Sequence, residues 1–134
     1  LLLKYRGMTF IENTLEKVLN ENFYELVIVI SDKKVRKKCQ DYIKKSEKDE
    51  KKIYIIDNKK SEKGQSESIK IGLKTLGKCD GYMFFSCDQP FLTSDTIKKI
   101  LQNFKTKGIT TPEYNGKRSL PVIFGKNFKI NQMD

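Results

Sequence analysis

Two short stretches hold the side chains best suited to chemistry. Asp88 stands directly after the apolar run Tyr82-Met83-Phe84-Phe85 and just before Gln89-Pro90-Phe91. A carboxylate at the end of a buried strand is a hard oxygen ligand of the kind magnesium takes, and Pro90 fixes the backbone where the chain leaves that strand. The same aspartate also suits the start of an ordinary turn. The second stretch is Gly64-Gln65-Ser66-Glu67-Ser68, a Gly/Ser loop ahead of the helical stripe Ile69, Leu73 and Leu76. Backbone N–H groups at a helix start, with small hydroxyls beside them, can take an anion or the edge of a base; alternatively, Ser66 simply caps the helix. Cys87 has no visible base partner and reads as a small buried strand-end residue rather than a nucleophile.

The elements that must position these residues alternate along the chain. Ile11, Leu15, Val18 and Leu19 form one helical face, as do Val35, Cys39, Tyr42 and Ile43, and later Ile97, Ile100, Leu101 and Phe104. Thr93 or Ser94 caps the last of these, with Asp95 in its first turn. Between the helices lie Leu26-Val27-Ile28-Val29-Ile30, Ile53-Tyr54-Ile55-Ile56 and Tyr82-Met83-Phe84-Phe85, short continuously apolar runs that mark strands covered on both sides. The tail adds two extended stretches, about 109–114 and 120–124, with Asn115-Gly116 as the turn between them. Such alternation predicts right-handed βαβ units and a largely parallel sheet, made mixed by the final pair. Ligands of such sheets bind beyond the carboxyl ends of the strands, which puts Asp57, Asn58 and Asp88 along one edge.

Composition removes several classes of function. The chain has 134 residues and no histidine, which excludes Ser–His and Cys–His nucleophilic catalysis and histidine-bound metals. Cys39, Cys79 and Cys87 are widely spaced without a Cys-x-x-Cys pair, against a disulfide framework or a zinc knuckle. The longest strong apolar run, 26–30, falls far short of the ~20 residues that span a bilayer. Nothing targets the chain outward, so a cytoplasmic location is expected. The net charge of +10 comes from lysines interleaved with acids over most of the length. No basic face with interleaved aromatics stands out, so nucleic acid is not the expected partner; a general positive field suits a phosphate-rich small substrate.

Four segments resemble a known family. Leu1-Leu2-Leu3-Lys4-Tyr5-Arg6-Gly7 resembles the KLLLPYRG segment of the molybdenum-cofactor cytidylyltransferases, within the MobA-like NTP transferases. Lys63-Gly64-Gln65-Ser66-Glu67-Ser68-Ile69 is similar to their EGQSSSL loop, and Cys87-Asp88-Gln89-Pro90-Phe91-Leu92-Thr93 matches their CDQPFLT motif. Pro112-Glu113-Tyr114-Asn115-Gly116-Lys117-Arg118, with Pro121-Val122-Ile123-Phe124-Gly125, resembles their PxYNGRRGHPVLFG stretch. The likeness is collinear over essentially the whole chain. It implies a single domain with a three-layer α/β/α, Rossmann-like nucleotidyltransferase fold on a mostly parallel sheet. It also implies an Mg2+-dependent enzyme that moves CMP from CTP onto the phosphate of molybdopterin and releases pyrophosphate. In that picture Asp88 is the catalytic residue and metal ligand, while Asn58, Gly64, Gln65, Ser66 and Ser68 line the nucleotide. Partners would be a nucleoside triphosphate, the phosphorylated pterin cofactor, and a molybdoenzyme or its chaperone, with no membrane.

The chain also departs from the family pattern. The family's glycine-rich phosphate segment lies just before its LLL run, and its later Gly-Asp segment would fall beyond Asp134. Lys4 follows the leucines, where the family tends to have proline, so it is not the phosphate lysine. A doubly wound domain opens with a strand before the first helix. The expectation is therefore a chain without its N-terminal strand, its phosphate loop and its C-terminal end. By itself such a chain would be aggregated, swapped or dimeric, and without CMP transfer. Leu120 replaces the polar residue of GHP or GNP, which leaves open another nucleotide, a sugar-phosphate acceptor, or a non-catalytic accessory protein for molybdoenzyme maturation.

Overall fold

The computed structural model describes residues 4–21, 23–46, 52–59, 65–77, 79–86, 89, 92–118 and 120–126, in two compact units, Leu1–Gly77 and Lys78–Asp134. The first opens with a tight hairpin, β1 (Lys4–Tyr5) and β2 (Met8–Thr9). Arg6 and Gly7 at its tip have φ of 55° and 80°, the double left-handed turn whose twist suits paired strands. Helix α1 (Phe10–Leu19) starts from a capping box. The Thr9 hydroxyl accepts the Glu12 amide at 3.3 Å, and the Glu12 carboxylate accepts the Thr9 hydroxyl at 2.7 Å and the Thr9 amide at 3.0 Å. Donors left open by the first helical turn are thereby satisfied, and the Thr9 hydroxyl and amide hold the Glu12 carboxyl below its usual range.

Strand β3 (Leu26–Ile30), helix α2 (Lys33–Ser46), strand β4 (Ile53–Asp57) and helix α3 (Gln65–Thr75) follow. β3 and β4 are parallel, in register from Leu26 opposite Ile53 to Ile30 opposite Asp57, and α2 is the crossover between them. Asp32 caps α2 by accepting the amides of Lys34 at 2.7 Å and Val35 at 3.2 Å. α1 packs on α2, and both α2 and α3 pack on β3. The predicted stripes form this core: Ile11, Leu15, Val18, Val35, Cys39 and Ile43 are each 5% exposed or less. Burying an aliphatic side chain of this size contributes roughly 1.5–3 kcal/mol, enough to bring the lysine-rich α2 down onto α1.

The second unit holds β5 (Gly81–Phe84), α4 (Ser94–Gln102), β6 (Ile109–Thr110), β7 (Glu113–Tyr114), β8 (Lys117–Arg118) and β9 (Val122–Gly125). β9 runs antiparallel between β5 and β6. Asn115 and Gly116, with φ of 51° and 77°, turn the chain between β7 and β8, as Asn-Gly predicts. The pairing is thus parallel in the β3–β4 ladder and antiparallel throughout the described part of the second unit. β9, whose Ile123 and Phe124 are both buried, has a neighbour on each side. Thr93, one of the two predicted caps, accepts the Thr96 amide at 3.2 Å, and α4 buries Ile97 and Ile100. Phe84 meets Phe124 edge to face at 5.5 Å between ring centroids, a geometry that aromatic quadrupoles favour. The segment after α4 then crosses β9, where Gly108 accepts the Gly125 amide at 2.9 Å. A Cβ at Gly125 would fall on the Lys105 carbonyl oxygen and the Thr106 backbone, so only glycine permits this crossing.

No helix among the described residues is long and apolar enough to cross a membrane.

Candidate functional site

The parallel ladder carries polar residues at its carboxyl end. Asn58 follows the last residue of β4, and its amide donates to the Ile30 carbonyl at 3.0 Å, carrying the ladder's hydrogen bonding one residue past the strand. Asn58 is 4% exposed, and its Nδ2 donates to Ser68 Oγ at 2.9 Å. Ser68 lies in the first turn of α3. The strand end and the helix start are therefore bonded directly, across the chain segment that connects them. An Asn amide buried without a partner costs about 1–3 kcal/mol, so this bond fixes the spacing between β4 and α3.

The expected nucleotide residues divide accordingly. Asn58 and Ser68 are brought together. Gln65 and Ser66 open α3, as the loop-then-helix reading requires, but their side chains lie outside the described residues, and so does Gly64. Asp88 and its neighbour Cys87 also lie outside them. Asp57 and Asn58 sit at the end of β4 as expected, whereas Asp57 has a task the sequence did not reveal. Its carboxylate takes the Arg36 guanidinium from α2, and the same guanidinium donates to the Ile55 carbonyl at 3.3 Å. Arg36 thus ties the crossover helix to the strand it leads into. Its only signal in the sequence is a basic residue near the start of a helix, one of many on this chain.

Gln89, next to Asp88 in the chain, is not among the residues the resemblance implies for the site. Its Nε2 donates to the Leu120 carbonyl at 3.2 Å. Its Oε1 is buried with no partner among the described residues. A buried acceptor left open is costly, and a ligand N–H is one way to satisfy it.

Among the described residues no three His, Cys, Asp or Glu side chains converge on a possible metal position. With no histidine in the chain, the donors available to a cation are chiefly oxygens. That set fits Mg2+, which commonly binds through one or two carboxylates together with substrate phosphates.

A β–α–β ladder with its polar strand end bonded into the next helix is the framework of α/β proteins that take ligands beyond their strand ends. The family model described as the MobA-like NTP transferase domain matches residues 1–132, and the chain belongs to that family. It is 32% identical over 126 residues to 2-C-methyl-D-erythritol 4-phosphate cytidylyltransferase of Thermosipho africanus (strain TCF52B). That match covers 90% of this chain and 52% of the relative, so the chain spans about half the relative's length. Rv0371c from Mycobacterium tuberculosis H37Rv superposes with a TM-score of 0.69 at 17% identity, over 93% of this chain and 61% of that one. At that identity the likeness is one of fold.

Proposed function

We propose that this domain serves a cytoplasmic nucleotidyltransferase that moves CMP from CTP onto the phosphate of molybdopterin. The observation that carries the reading is the bond from Asn58 to Ser68 at the head of α3, in a chain of the MobA-like NTP transferase family. It holds two of the expected nucleotide residues in fixed relation, and the backbone amides of Gln65 and Ser66 open the same helix, where orphan N–H groups favour anions and base edges. In the reaction, an oxygen of the acceptor phosphate attacks the α-phosphorus of CTP. The bond from that phosphorus to the β-phosphate's bridging oxygen breaks, and pyrophosphate leaves with the electron pair. Asp88 would hold Mg2+, which when bound neutralises charge on the transferring phosphates. The chain's own residues position the groups and present fixed dipoles, so the lack of a histidine base is no obstacle.

Isothermal titration of CTP into the full-length protein, with and without magnesium, tests this assignment. Asp88→Ala should abolish the magnesium-dependent part of binding and any pyrophosphate release. Stability should change little, within about ±0.5 kcal/mol. Equal affinity of wild type and variant in magnesium would remove Asp88 from the site.

A second acceptor is favoured by one observation, the 32% identity to a protein named for 2-C-methyl-D-erythritol 4-phosphate. Pyrophosphate release from CTP with that polyol phosphate, but not with molybdopterin, would replace the first reading with this one.

A further inference from the structure

Within the second unit, β5 ends beside the start of β9, where Phe84 pairs with Val122. Gln89 bridges the chain leaving the one strand and the chain entering the other. Its Nε2 donates to the Leu120 carbonyl at 3.2 Å. Its own carbonyl accepts the Leu92 amide at 3.2 Å, a bond that closes three residues on, as in a β-turn. The far side of the bridge is fixed: Pro121 is among the most deeply buried side chains, and β9 is paired on both sides. Gln89 Oε1, by contrast, is buried with no partner among the described residues. An open buried acceptor costs stability, and a methionine of similar length would fill the same space without that cost. Packing alone therefore gives no reason for an amide here. Local rules are broken in this way where position matters more than stability.

We propose that Gln89 is a positioning residue, whose side-chain amide holds the stretch carrying Asp88 against the fixed entry to β9. Asp88 is one peptide bond away, and consecutive Cα atoms stand about 3.8 Å apart. Fixing Gln89 through both its side chain and its carbonyl therefore leaves its neighbour little freedom. A magnesium ligand needs that: the ion demands near-ideal octahedral geometry, and hydrogen bonds outside the coordination sphere commonly orient the groups within it. Without the bridge, the carboxylate would have to be ordered as the metal and nucleotide arrive, and that entropy would be subtracted from binding. What Asp88 holds rests on the nucleotidyltransferase reading; the bridge itself does not.

Two measurements on the full-length protein test this with two variants. Gln89→Met keeps the volume and removes the amide; Gln89→Glu keeps the shape and loses the donor. The first measurement is amide hydrogen exchange, read by NMR without nucleotide. The Leu92 amide should exchange about tenfold faster in both variants, the scale of one hydrogen bond. The Gly125 amide, bonded to the Gly108 carbonyl in the same unit, should keep its wild-type rate. Unchanged exchange at Leu92, or an equal rise at Gly125, would overturn the proposal. The second measurement is titration of CTP with and without magnesium. The gain in affinity that magnesium confers should shrink about tenfold in both variants, with the affinity in its absence unchanged. A gain equal to that of the wild type would reduce Gln89 to a packing role and sink the proposal as well. If the wild type takes up no CTP in magnesium, the nucleotidyltransferase reading falls, and exchange at Leu92 alone decides the bridge.

Discussion

In the first unit, polar groups at the ends of elements close onto one another; in the second, the chain crosses itself where a side chain is missing. Thr9 and Glu12, Asp32 and the start of α2, Arg36 and Asp57, and Asn58 and Ser68 are four such closures. The second unit has one such closure, Thr93 with Thr96, but it also places the Lys105–Thr106 backbone directly against Gly125. Hydrogen-bonded closures tolerate small shifts, because geometry around a polar contact can relax by a few tenths of an ångström. Backbone laid on a glycine has no such slack. The two units should therefore respond to the same substitution with opposite signs.

Gly125→Ala is the sharpest way to break that contrast. Its new methyl meets carbonyl and backbone atoms that cannot swing away, so overpacking should cost about 3 kcal/mol and lower Tm on the order of 10 °C. Gly72→Ala, in α3 of the first unit, meets nothing within 4 Å. A helical glycine replaced without a clash should gain roughly 0.5–1 kcal/mol. Thermal and urea unfolding of both variants decide the point. Two losses of similar size would show that the contrast between the units is not one of packing.

The next effect belongs to the strand end. Asn58→Ala should cost about 2 kcal/mol, since it removes one partner of a buried hydrogen bond. In a cycle with Ser68→Ala the coupling should be about 1 kcal/mol. The same variant should weaken CTP binding if Asn58 faces the nucleotide. Additive losses, with no coupling, would mean that the 2.9 Å contact does not hold β4 to α3.

How much of this could be read from the residues follows from the range of the forces involved. Leu26-Val27-Ile28-Val29-Ile30 is too short for a helix and too apolar for a loop, so it emerges as a strand; the stripes through Ile11 and Val35 are legible for the same local reason. The hairpin at Lys4–Thr9 was not legible, because its turn needs Arg6 at positive φ, which an arginine does not advertise. The Asn58–Ser68 bond joins residues ten apart across a connecting loop, and no periodicity carries that information. The short strands β6, β7 and β8 have two residues each, too few to show any alternation. The caps were different. Their mechanism is local: Thr93, one of the two caps expected from the residues, accepts the Thr96 amide, and Thr9-x-x-Glu12 carries the same kind of signal as a capping box although it was not among the expected caps.

That capping box yields the smallest expected effect and a clean sign. Glu12→Ala should cost about 1 kcal/mol near pH 7, the usual worth of a broken N-terminal cap. The Glu12 carboxyl is held below its ordinary value of 4.5, first by the Thr9 hydroxyl and then by the Thr9 amide. A group whose folded pKa is depressed contributes stability that is fully present above the unfolded value and is lost as pH falls through the folded one. The gap between wild type and Glu12→Ala should therefore be constant from about pH 7 down to about pH 5.5, begin to close near 4.5, and narrow further in more acid solution. Urea unfolding of both proteins at several pH values measures it directly. A gap that stayed constant through pH 3 would mean that the charged carboxylate contributes nothing beyond its neutral form, and that α1 is held by its packing on α2 and the opening hairpin.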